Sequence, residues 1–204
     1  TWFKKLDDNF SGMAIRIKGN GSSSDKYFML INTALSYAKQ RFTACHELYH
    51  LLYQKDFKVS QNNAGLFNKK EEEEYNADVF AAYLLLPEMG LKELVPAEEQ
   101  QVDKITLATL LKVEQNFLCS RAALLTRLKD LKTFDLYQKN VVASAIEYGY
   151  NTQLYYPTYQ TELVGDYNLK ARELYDKGRI SQAKYYSLLM DMEINVSQEV
   201  YGEE

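Results

Sequence analysis

Histidine, cysteine, long apolar runs and excess positive charge are all scarce here, and each shortage narrows what the chain can be. Two cysteines in 204 residues, Cys45 and Cys119, cannot build a disulfide framework, which fits a reducing cytoplasm. No stretch approaches the roughly 20 apolar residues that a membrane-spanning helix needs, and no basic-plus-apolar leader opens the sequence. A cytoplasmic protein without membrane association is therefore expected. The formal net charge of −4 gives no general pull toward nucleic acid or anionic lipid. Internal repeats are absent, and four consecutive glutamates are the longest biased tract.

What is present is concentrated around the only two histidines, which stand four apart in Cys45-His46-Glu47-Leu48-Tyr49-His50-Leu51. On an α-helix, residues i and i+4 project from one face, so both imidazoles can reach a single metal ion. Glu47 projects beside that ion, placed to take a proton from water. Cys45 points about 100° away from His46 and reads as a small packing residue. With no third histidine, the extended zincin pattern that closes on another His is excluded. A hydrolytic zinc site commonly uses three protein ligands, so a carboxylate is needed. Residues 70–86 read as a helix stopped by Pro87, with Ala77, Phe80, Ala81, Leu84 and Leu85 as its buried stripe. Glu74 and Asp78 border that stripe one turn apart. Glu74 is assigned as third ligand, with Glu73 as its nearest competitor and Glu71 and Glu72 as a solvated helix start. Asp78 is assigned as acceptor for the second N–H of a ligating histidine.

The segment from Arg41 through Leu52, followed by Glu74-x-x-Ala77-Asp78-x-Phe80-Ala81-Ala82-x-Leu84-Leu85-Leu86-Pro87, resembles the ImmA/IrrE metallopeptidases. Leu118 to Leu128 is similar to the family's middle helical segment, and Leu174 to Ser181 to a stretch near the C-terminus of many members. The resemblance covers roughly residues 12–204. It implies a zinc-dependent, intracellular bacterial or mobile-element protease that cleaves a partner repressor carrying its own helix-turn-helix. Some members answer stress, and others control excision of mobile elements or phage induction. Many members carry Asn where this chain has Asp78. The chain also ends soon after its last helices, so the sensory domain of longer members is not expected. The His/His/Glu set would accept Mn²⁺ or Fe²⁺ as well as Zn²⁺.

The organisation expected is α+β: a mostly helical zincin-like core with a small N-terminal β-hairpin, then a helical extension. Residues 1–100 would form the core, 101–140 a helix-turn-helix-like segment and 141–204 a C-terminal extension. Met13 to Lys18 and Lys26 to Ile31 read as the hairpin around a Gly/Ser turn, with an edge suited to an added peptide strand. The ligand-bearing helix spans about Ser36 to Tyr53, and Gln54 to Asn68 loops beside the cleft. Helices are expected at 105–113 and 120–131, with Ser120 as N-cap. Over residues 101–140, seven Lys/Arg oppose four Asp/Glu, a local +3. Arg121, Arg127 and Lys129 make only a sparse phosphate footprint, so DNA contact is not favoured over two helices covering the core. Ten tyrosines between Tyr148 and Tyr201 read chiefly as a helical covering. Helices at 166–176 and 181–192 flank Gly178 as terminator. Metal-assisted peptide hydrolysis with Glu47 as base is the leading function. A binding module with structural metal and a DNA-binding regulator are the alternatives.

Overall fold

Serine at the head of an amphipathic run sets the first boundary. Ser36 caps α1 (Tyr37–Leu52), its hydroxyl accepting the Lys39 amide, and Tyr53 closes the last turn by donating to the Tyr49 carbonyl. The computed structural model describes residues 1–7, 10–21, 24–62, 64–101, 104–128 and 140–193. Five strands form one sheet: β1 (Trp2–Lys4), β2 (Gly12–Ile17), β3 (Lys26–Asn32), β4 (Val59–Asn62) and β5 (Glu162–Leu163), in the order β4-β2-β3-β1-β5. The expected hairpin is β2–β3, antiparallel with Gly12 opposite Ile31 and Ile17 opposite Lys26.

Both flanks of that hairpin are occupied, which corrects the expectation of a free edge there. β4 pairs antiparallel with β2, Asn62 opposite Gly12, and β1 runs parallel to β3. β4 lies within the stretch expected to be loop. It was illegible because its polar residues lack a strand's apolar alternation, and pairing with β2 is what holds them extended. Neither β1 nor β5 has a sequence signal of its own length; each is held by a neighbour far away in the chain.

Helices follow as α2 (Glu72–Leu85), α3 (Glu88–Leu94), α4 (Leu107–Phe117), α5 (Arg121–Leu128), α6 (Val141–Glu147), α7 (Tyr167–Asp176) and α8 (Gln182–Asp191). Helix α1 is the centre of the fold. Its Ala44, Leu48 and Leu51 pack on Ala14, Met29 and Ile31 of the sheet. On its other side, Phe42 joins a cluster built from Ala81, Ala82, Leu85, Leu91, Leu110, Val113, Leu124 and Leu125. That cluster runs through α2, α3, α4 and α5 without a break at position 100.

The buried face of α2 is turned from the expected stripe, Asp78 and Ala82 taking the places of Phe80 and Leu84. Ala77, Ala81, Ala82 and Leu85 are inside, whereas Leu84 is exposed and Phe80 is half-buried against Tyr49 and Tyr53. The small residues Ala77 and Ala81 face α1, and Leu84 is left to solvent. Helix α4 continues through Phe117, where a connection was expected from Glu114. The turn comes at Leu118, whose φ of 52° is left-handed. Glu114 is inside because it pairs with Arg121, the first residue of α5 (2.6 Å and 3.2 Å), and both are fully buried. Ser120 accepts the Ala123 amide as expected, and residues 129–131 of the expected helix lie outside the described residues.

The cationic footprint for DNA dissolves in the same contacts. Arg121 is consumed by Glu114, and Arg127 lies 3.9 Å from the centroid of Tyr83 while donating to the Leu86 carbonyl. Lys129 lies outside the described residues. The helices on either side of Gly178 are α7 and α8, with Ser181 capping the second. Tyr175 and Tyr185 stack between them, while Tyr201 lies outside the described residues. Among the described residues, no helix is long and apolar enough to cross a membrane.

Candidate metal centre

Two helices build the site, α1 supplying His46, Glu47 and His50, and α2 supplying Glu74 and Asp78. Helical spacing puts the histidines one turn apart, with their Nε2 atoms 3.1 Å from each other. Glu74, in the first turn of α2, brings Oε2 to 3.1 Å from Nε2 of His46 and Oε1 to 3.5 Å from Nε2 of His50. One atom from each of the three lies within 4.8 Å of the others. Ligand atoms about 2.0–2.1 Å from one ion in a tetrahedron sit about 3.3 Å apart, and the observed separations bracket that spacing. The residues present fit a divalent metal.

Each imidazole is held from behind. His46 donates its Nδ1–H to Asp78 Oδ1 at 2.8 Å, so one ring is clamped between Asp78 and Glu74, four positions apart on α2. Asp78 also accepts the backbone N–H groups of Gly65 (2.6 Å) and Phe67 (2.7 Å). His50 directs Nδ1 at Gln54 Oε1 (2.6 Å) and stacks on Phe57. These bonds select the tautomer that leaves Nε2 facing the shared point.

The structure brings together all five residues singled out from the sequence. Glu73 is turned away and accepts the Tyr49 hydroxyl at 3.0 Å, while Glu71 accepts the Asn68 amide. Cys45 sits half-buried against the helical cluster. Three neighbours went unread. Gln54 continues the 46/50 rung by one more turn, a signal that was available. Gly12 is the second: a Cβ there would lie 2.5 Å from Thr43 Cγ2 and 3.5 Å from Glu47 Oε1, so only glycine lets β2 pass this close to α1. Lys39, the third, has no motif to announce it.

Electrostatics follow from that packing. Burial opposes charge on His46, but its hydrogen bonds to Asp78 and Glu74 and the fields of Asp78 and Glu47 prevail, raising it to about 9. Burial likewise opposes charge on Glu74, yet both histidines draw it down to about 2. A metal held at this point would displace the Nε2 proton of His46, so loading would be proton-coupled. Apparent metal affinity is expected to rise with pH, about tenfold per unit at most, up to about 9. Without metal the sign reverses: His46 is raised above its unfolded value, so its contribution is complete below about 6.5 and lost as pH climbs through 9. Thermal denaturation from pH 6.5 to 9, with chelator and with added zinc, is expected to show the two midpoints diverging. Parallel curves would contradict this assignment of the His46 proton.

Residues 9–123 match the family described as Peptidase_M78, IrrE N-terminal-like domain. No curated protein matches the chain.

Proposed function

The chain belongs to the IrrE N-terminal-like peptidase family, and from that membership in a metallopeptidase family we propose a zinc-dependent endopeptidase of the gluzincin-like HExxH…E type. Its substrate is a helix-turn-helix repressor, and cleavage releases transcription. The observation that carries this reading is the convergence of His46, His50 and Glu74 at spacings that suit one tetrahedral ion. The ion is Zn²⁺, and Mn²⁺ or Fe²⁺ suit the same donors. Three protein ligands leave a fourth position for chemistry, which separates this site from a structural zinc closed by four and weighs against a purely binding role.

The bound metal would supply Lewis acidity, polarising the scissile carbonyl and making an attacking water more acidic. Glu47, buried beside the ligands, takes the proton of that water on its carboxylate and returns it to the leaving amine. Asp78 holds His46 by its Nδ1–H and Gln54 holds His50, so neither ring turns as charge develops. The peptidase core carries its ligands within residues 1–100 and continues its apolar cluster into α4 and α5. Beyond that core, the described helices α6, α7 and α8 offer surface to the protein partner, acting in the cytoplasm where Cys45 and Cys119 stay reduced.

The test is incubation of the zinc-loaded protein with the repressor encoded beside its gene, read by mass spectrometry of the intact products. A single cut is expected. His46→Ala is expected to lose metal and cleavage together, because two donors cannot hold the ion and Asp78 loses its imidazole. Intact zinc stoichiometry in that variant would remove His46 from the ligand set. A wild-type protein that holds zinc but leaves the repressor whole would overturn the substrate and leave the metal site standing.

A further inference from the structure

Resting on the metal site proposed above, we infer that Lys39 is a positioning residue for the peptidase reaction. It anchors the 64–67 segment whose amides fix Asp78, and Asp78 in turn fixes His46. Lys39 lies seven residues before His46, two helical turns along the same face of α1. Its ammonium donates to the carbonyl of Ala64, a residue with no exposure. The next residue, Gly65, donates its N–H to Asp78 Oδ1, and Phe67 donates to Oδ2. Ammonium, segment, carboxylate and imidazole thus form one continuous chain from Lys39 to a metal donor.

The segment does not hold this shape by itself. Gly65 has φ of +83° and Phe67 of +49°, and a left-handed phenylalanine persists only where its surroundings impose it. The surroundings here are Asp78, which takes both amides, together with Lys39 and Phe42. The Phe67 ring packs 5.9 Å from Phe42, and a Cβ at position 65 would come within 3.0 Å of Lys39 Nζ and 3.5 Å of the Phe42 ring. Backbone and ammonium are therefore in contact. Burial draws the Lys39 pKa down while the field of Asp78 supports its charge, so the ammonium and the carboxylate face one another electrostatically.

Without the ammonium, the Ala64 carbonyl loses its partner and the left-handed turn loses an anchor. The Gly65 and Phe67 amides then drift from Asp78, and His46 loses the acceptor that fixes its tautomer. Groups placed behind a metal ligand typically change metal affinity by about 10–100-fold. A merely structural lysine would lower stability without acting through Asp78.

Zinc affinity by chelator competition separates the two, measured for wild type, Lys39→Met, Asp78→Asn and the double variant. Lys39→Met is expected to weaken zinc binding about 10–100-fold. The double variant is expected to be no weaker than Asp78→Asn alone, since both changes cut the same chain. Lys39→Gln, which keeps an N–H for the Ala64 carbonyl, is expected to recover much of the affinity. It serves also if the Met variant does not fold. In the metal-free proteins, the hydrogen-bonded His46 Nδ1–H proton should be visible by NMR far downfield in wild type and shifted or lost in Lys39→Met. Wild-type affinity in Lys39→Met, or a loss fully additive with that of Asp78→Asn, overturns the inference. A wild type that binds no zinc overturns the metal site instead, and the metal-free Nδ1–H signal then still tests the relay.

Discussion

Glu47→Gln is expected to keep its zinc and lose cleavage by about 10²–10⁴-fold, the range that a positioned general base supplies. The metal should stay because none of the three converging donors belongs to Glu47: they come from His46, His50 and Glu74. The exchange preserves shape, which matters at a residue with no exposure, packed where β2 crosses α1 at Gly12. What the amide cannot do is accept a proton from water or carry it to the leaving amine. Metal analysis and repressor cleavage on the same preparation decide the point. Retained proteolysis in a zinc-loaded Glu47→Gln protein would sink the role of base. Loss of zinc together with activity would instead place Glu47 among the groups that hold the ion.

The largest stability effect lies away from the metal, in the pair that closes the turn between α4 and α5. Glu114 and Arg121 are almost wholly inaccessible and bonded at 2.6 Å, and Tyr155 donates its hydroxyl to the second carboxylate oxygen at 2.5 Å. Burying both charges is expensive, so the pair itself adds little; breaking it is another matter, because the survivor is left charged without water. Arg121→Met is expected to cost about 3–5 kcal/mol, measured as a lower midpoint in urea with an unchanged slope. The double replacement Glu114→Leu/Arg121→Met is expected to recover most of that loss, the Tyr155 hydroxyl being the remaining debit. A single-variant loss below about 1 kcal/mol would show that water reaches the pair. The same measurement bears on the DNA reading, since an Arg that is essential inside the fold is not available to phosphate.

Tyr155 also explains why the C-terminal third resists reading from sequence. Its ring carries Asn151 to Tyr155 onto α4, and the chain then runs to α1, where Tyr156 accepts the Tyr37 amide and Thr158 meets Gln40. The contacts on α4 span 36 and 41 positions, and those on α1 tie residues more than a hundred positions apart. Tyrosine composition alone announces an amphipathic covering and nothing about which helix is covered.

Much of the site, by contrast, was legible because its information is local. Helical periodicity places His46, Glu47 and His50 on one helix and Glu74 with Asp78 on the next, and capping by Ser36 and the stop before Pro87 set their limits. The lack of long apolar runs agrees in the same way with the absence, among the described residues, of a helix able to cross a membrane. Tertiary structure decided the rest. It chose Glu74 over Glu73, because the close packing of α2 on α1 through Ala77 and Ala81 aims one carboxylate at the imidazoles and leaves the other to Tyr49. It made β4 a strand, turned Arg121 inward and set Lys39 behind Asp78. The physical reason is one of range. Spacing along a helix is fixed by the backbone and can be read from the chain, whereas a polar group's partner depends on which distant surface is packed against it.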